Sequence, residues 1–200
     1  MIKLEEKKIE EKVLKKALNY LSIYISSTKK LTIILEKFTK NKFPKLDKLK
    51  KNQIIQNCLK KCIDLGYLDD EKFIEYHYDK ERKKGASKNK ILSKLYCAGV
   101  NYDFANKVIT KKETSLEADY LDNELAACII YIKKKKLGTF NKNFNEKLLI
   151  KDYKKLSRAG FSKFISEKVL NIKCEDEAYE FLNKNKYFEK DSLFINDKNV

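Results

Sequence analysis

The 200-residue sequence predicts an all-α protein, an elongated array of three tandem three-helix repeats, on three observations. Apolar residues recur at helical spacing almost throughout. Gly and Pro are scarce, at five and one, and the glycines lie apart at segment ends. A pattern of residues also returns at a fixed interval of about 60, the mark of stacked helical units.

Val13, Leu14, Ala17, Leu18, Leu21, Tyr24 and Ile25 trace one amphipathic helix, with residues 1–12 as its solvated extension. Ser26-Ser27-Thr28 breaks it and offers an N-cap oxygen to a second helix bearing Leu31, Ile34, Leu35 and Phe38. After Phe43-Pro44 a third helix carries Ile54, Ile55, Cys58, Leu59, Cys62 and Ile63 and ends at Gly66. The pattern restarts at Asp69-Asp70, whose carboxylates suit a helix start, before Phe73, Ile74, His77 and Tyr78 and a stop at Gly85. Ser87 opens the next helix, with Ile91, Leu92 and Leu95. It stops at Gly99 and is followed by a short helix with Phe104, Ala105, Val108 and Ile109. A third cycle runs from about Leu116 to Leu170, with an irregular insertion from Lys133 to Lys147.

The interval tests this division. Ser27, Leu31 and Leu35 return 60 positions later as Ser87, Ile91 and Leu95. Leu95, Gly99, Val100, Phe104, Ala105, Lys107, Val108 and Ile109 return 61 positions later as Leu156, Gly160, Phe161, Ile165, Ser166, Lys168, Val169 and Leu170. The expected units are residues 1–66, 67–113 and 114–174, with 175–200 as an extension that adds one helix around Ala178, Tyr179 and Leu182 before a polar tail.

Charge narrows the partners. A net charge of +16 points to an anionic partner, nucleic acid or an acidic protein surface, although lysine is abundant throughout and Arg82 and Arg158 are the two arginines. The start shows no secretory signal, and the longest apolar stretch, Leu125 to Ile132, is too short to span a bilayer, so a cytoplasmic protein is expected. Cys58 and Cys62, one helical turn apart, read as small apolar residues on a buried face.

Catalytic, metal and cofactor chemistry finds little to build on. One histidine, His77, and no CxxC pair leave no zinc or triad constellation, and no glycine-rich phosphate loop is present. Asp69, Asp70 and Glu71 read as capping residues before they read as a magnesium site. The basic clusters carry more. Arg82, Lys83, Lys84, Lys88, Lys90 and Lys94 straddle Gly85 and either converge on phosphates or acidic side chains or form a solvated face. Lys30, Lys90 and Lys151 stand at equivalent positions of the three cycles, and Lys94 is matched by Lys155, so a recurrent ridge would meet a periodic partner in register. The lysines from 133 to 136 point around a whole helix and read as solvated. Tyr67, Tyr76, Tyr96 and Tyr102 read as packing residues rather than as base-stacking ones.

Ala17-Leu18-x-Tyr20-Leu21 followed by Ser27 and Leu31, then Leu65-Gly66-Tyr67-Leu68-Asp69-Asp70-Glu71-Lys72-Phe73, then Lys84-Gly85-x-Ser87, and finally Arg158-x-Gly160-Phe161-Ser162 together resemble the bacterial RecX recombination regulators, over roughly residues 13 to 172. Where that family tends to carry Arg-Pro before the first serine, this chain has Ile25-Ser26. The resemblance implies a protein that binds the RecA recombinase filament on DNA, lies along its helical groove and restrains its ATP hydrolysis and strand exchange; the lack of a catalytic constellation points to no reaction of its own, and a monomer is expected. The residues alone leave open a standalone nucleic-acid-binding module with no recombinase partner.

Overall fold

A computed structural model describes residues 2–115, 120–141 and 146–184. The regular structure among them is helical: α1 (Ile2–Leu21), α2 (Thr28–Lys42), α3 (Lys48–Asp64), α4 (Asp70–Arg82), α5 (Lys88–Cys97), α6 (Tyr102–Ser115), α7 (Tyr120–Lys135), α8 (Glu146–Arg158), α9 (Lys163–Leu170) and α10 (Glu175–Lys184), with a 3-10 turn at Gly138–Phe140. Leu116, where the third cycle was expected to begin, residues 142–145 of the expected insertion and the tail from 185 lie outside the described residues. None of the described helices is long and apolar enough to cross a membrane.

The chain divides into two compact units, residues 1–74 with 95–101, and residues 75–94 with 102–200. In the first unit α1 and α2 pack on α3, and Val13, Ala17, Leu31, Leu35, Ile55, Leu59 and Cys62 form the core. Burial pushes the Cys58 thiol up to about 12, with neighbouring Cys62 adding to the shift, so both cysteines act as small apolar residues. In the second unit α7 is central, packed against α9 and α10, while α8 packs on α9. The apolar run Leu125 to Ile130 is buried all round, as a helix apolar on every face must be.

Helix starts follow the local chemistry. Asp69 caps α4, accepting from Glu71 N at 2.9 Å and Lys72 N at 3.1 Å. Asp70 has a different task, accepting from Thr28 N at 2.7 Å at the start of α2. Ser27 caps α2 by accepting from Lys30 N at 3.2 Å, and its hydroxyl donates to the Ala98 carbonyl at 2.9 Å. Within the second unit Ser87 caps α5 by accepting from Lys90 N at 3.2 Å and donates to the Ala159 carbonyl at 2.7 Å, while Lys88 N donates to Glu124 Oε1 at 2.8 Å. In both places orphan N–H groups of a helix start are met by a carboxylate far along the chain. The same serine ties that start to a distant helix end.

Three expectations change. α1 ends at Leu21, where the Ser22 hydroxyl donates to the Asn19 carbonyl instead of supporting another helical turn, and Tyr24 and Ile25 are exposed rather than on the buried stripe. The expected insertion is partly regular, because α7 runs to Lys135 and Gly138 N donates to buried Asp152 at 3.0 Å. Tyr67, Tyr76, Tyr96 and Tyr102, expected to pack, are between 44% and 66% exposed, since α4 and α5 turn Phe73, Ile74, Ile91, Leu92 and Leu95 inward instead.

Two glycines with positive φ separate conformational freedom from space. A Cβ at Gly66 (φ +74) meets nothing within 4 Å, whereas one at Gly85 (φ +79) would stand 2.7 Å from Tyr131 N and 2.9 Å from Ala127 O, both backbone atoms of α7. Gly66→Ala is expected to cost about 1 kcal/mol and Gly85→Ala about 3 kcal/mol or more, read by urea denaturation. In the folded protein Cys97 and Cys174 should react with a thiol reagent at once, while buried Cys58, Cys62 and Cys128 react only after unfolding.

Candidate functional site: a lysine-lined cleft

The end of α4, the turn after it, and parts of α5, α7 and α8 enclose a cleft of about 450 Å3 in the second unit. Lys84, Lys90, Lys94, Lys134, Lys155 and Arg158 line it, together with Glu81 and Tyr131. Local chemistry places each of them. Gly85 lets the chain leave α4 close against α7, Ser87 starts α5 so that Lys90 and Lys94 share a face one turn apart, and Lys155 and Arg158 lie one turn apart on α8.

Glu81 is the one carboxylate among the lining residues. Lys94 Nζ pairs with its Oε2, and Lys84 Nζ lies 3.4 Å from its Oε1. Burial would raise the Glu81 pKa, but hydrogen bonding and charge from Lys94, and then from Lys84, outweigh burial and hold the carboxyl below its usual range. Lys155 pairs with Asp152 at 3.1 Å on the same helix. Lys90, Lys134 and Arg158 have no ion pair among the described residues. The cleft therefore carries a surplus of positive charge that concentrates anions.

Beneath it lies a buried ionic network. Arg82 is fully buried: its Nη2 donates to Glu113 at 3.1 Å, Nη1 approaches Glu124 at 2.5 Å and the Ala86 carbonyl at 3.1 Å, and Nε donates to Tyr78 Oη at 3.1 Å. Tyr78 donates in turn to Glu113 at 2.7 Å, and Lys88 Nζ donates to Glu113 at 2.9 Å and Thr110 at 3.1 Å. Burial opposes the charge on Arg82, yet Glu124, followed by Tyr78, overcomes it and keeps the guanidinium protonated.

Of the ten basic residues singled out in the sequence, five line the cleft: Lys84, Lys90, Lys94, Lys155 and Arg158. Arg82 is corrected from a partner contact to a structural cation, because a side chain with no exposed surface cannot reach a ligand. Lys88 is turned largely toward Glu113. Lys83 and Lys151 are exposed outside the cleft, and Lys30 is exposed in the first unit. Three residues of the cleft escaped notice in the sequence. Lys134 sat in a lysine run read as solvated, but it stands one turn from Tyr131 on the face of α7 that lines the cleft. Glu81 and Tyr131 gave no sequence signal. Among the described residues no group of three or more His, Cys, Asp or Glu side chains is placed to hold a metal ion.

Arg82→Met should leave Glu113 and Glu124 buried with less compensation and cost about 3–5 kcal/mol in urea denaturation, a much larger loss than Lys83→Met at an exposed position. No family model, curated protein or solved structure matches this chain.

Proposed function

We propose that this protein is a non-enzymatic regulator of DNA recombination and repair that binds the RecA recombinase filament on DNA, as a monomer in the cytoplasm, and inhibits ATP hydrolysis and strand exchange. The observation that carries this reading is the recurrence of one junction. Ser27 with Ala98 in the first unit and Ser87 with Ala159 in the second make the same bonds at intervals of 60 and 61 residues, where the sequence pattern itself repeats. This supports the reading of three tandem three-helix repeats, in which similar chemistry returns along the chain as it would have to for a helical filament to be met in register. The resemblance of Leu65 to Phe73 and of Lys84 to Ser87 to the RecX regulators supplies the partner, and the cationic cleft supplies a surface suited to a nucleoprotein.

Titrating the protein at substoichiometric ratios into a DNA-dependent recombinase ATPase and strand-exchange assay should depress both activities. Binding to DNA with no effect on the recombinase would instead identify a standalone nucleic-acid-binding module, and the regulatory reading would fall.

A further inference from the structure

We infer that the cleft between α4, α5, α7 and α8 binds the backbone of a single phosphodiester strand, and that Glu81 is an internal counter-anion which the strand displaces from Lys94 and Lys84. The inference rests on the proposed function only in taking nucleic acid as the partner. Six cations line about 450 Å3 against two carboxylates, Glu81 in the lining and Asp152 behind Lys155, a surplus that one carboxylate of a ligand does not neutralise and that a chain carrying a charge at every nucleotide does. The volume is that of a ligand pocket, concave enough to take in a short stretch of one strand's backbone. Five of the six cations are lysines, compact point charges with freely rotating donors that suit phosphates arriving in varied geometry better than they suit the planar fork-to-carboxylate pairing typical of protein partners. Tyr131 adds a half-buried aromatic ring, held edge-on to Phe161 at 5.7 Å, beside which a base can settle.

Glu81 occupies the position that a phosphate oxygen would take, with both of its oxygens on lysine ammonium groups. Its depressed pKa keeps it ionised at neutral pH, so it competes with the incoming strand under all ordinary conditions. Binding therefore exchanges one anion for another at Lys84 and Lys94, while Lys90, Lys134 and Arg158 gain a new partner.

The test is fluorescence anisotropy of the full chain with labelled oligothymidylate and oligouridylate of 15 nucleotides, from low to moderate salt. The wild type is compared with Glu81→Gln, with a Lys90→Gln/Lys134→Gln/Lys155→Gln variant, and with a Lys37→Gln/Lys48→Gln/Lys60→Gln variant whose exposed lysines lie on α2 and α3. Expected are affinity raised several-fold at low salt by Glu81→Gln and lowered about tenfold or more by the cleft triple variant. The salt slope of the cleft variant should fall by about two, because each phosphate contact on a single strand contributes about 0.7. Whichever oligonucleotide binds tighter identifies the strand as DNA or RNA. Equal losses in the two triple variants would reduce the effect to general charge and overturn the site, and an unchanged Glu81→Gln affinity would overturn the counter-anion. Displacement of the oligonucleotide by polyglutamate at equal charge concentration would assign the cleft to an acidic protein and overturn the strand. Thermal melting of each variant confirms folding. No recombinase is present in this assay, so a failure here leaves the ATPase titration to be judged separately, and the reverse holds equally.

Discussion

The buried guanidinium of Arg82 is the constraint around which the second unit is arranged. It sits at the end of α4 without exposed surface, between carboxylates from α6 and α7 and beside the carbonyl of Ala86. An ion stripped of water is tolerated only where each donor finds a partner. Glu113, Glu124, Tyr78 and Ala86 meet that demand together, which fixes α4, α6 and α7 and the turn leading into α5 in one mutual geometry.

The cleft inherits its shape from that arrangement. Glu81 precedes Arg82 and Lys84 follows it by two, and with Arg82 held inward both line the cleft while Lys83 stays outside it. Glu124 also accepts from Lys88 N, which ties the ionic network to the start of α5 and hence to the register of Lys90 and Lys94. Gly85 permits the close approach to α7 that brings Lys134 and Tyr131 to the same space. A buried structural cation thus positions several that line the cleft.

The recurrent serine junction gives a second, independent order. Ser27 and Ser87 each satisfy a local helix start and a distant helix end with one hydroxyl, a bond that contributes about 1 kcal/mol and loses its geometry if either end shifts. Pairing each serine with a carboxylate on the neighbouring amide, Asp70 for Thr28 and Glu124 for Lys88, makes the helix start a junction rather than a free terminus.

The sequence by itself determined the helical class, the stops near Gly66, Gly85 and Gly99, and the capping segments Ser26-Ser27-Thr28, Asp69-Asp70 and Ser87, because these follow from spacing and from bonds made within one turn. It also exposed the repeat interval. Only the tertiary structure decided which cations are buried on carboxylates and which line an exposed cleft. Arg82 and Lys84 look alike in the chain, yet Glu113 lies 31 residues from Arg82 and makes one a buried structural ion, while the other lines an open cleft. The tyrosines followed the same logic, since helical spacing marks an apolar face but neighbouring helices choose which side of that face is covered. Desolvation and charge pairing depend on groups far away in the sequence, so their outcome is settled only when the helices meet.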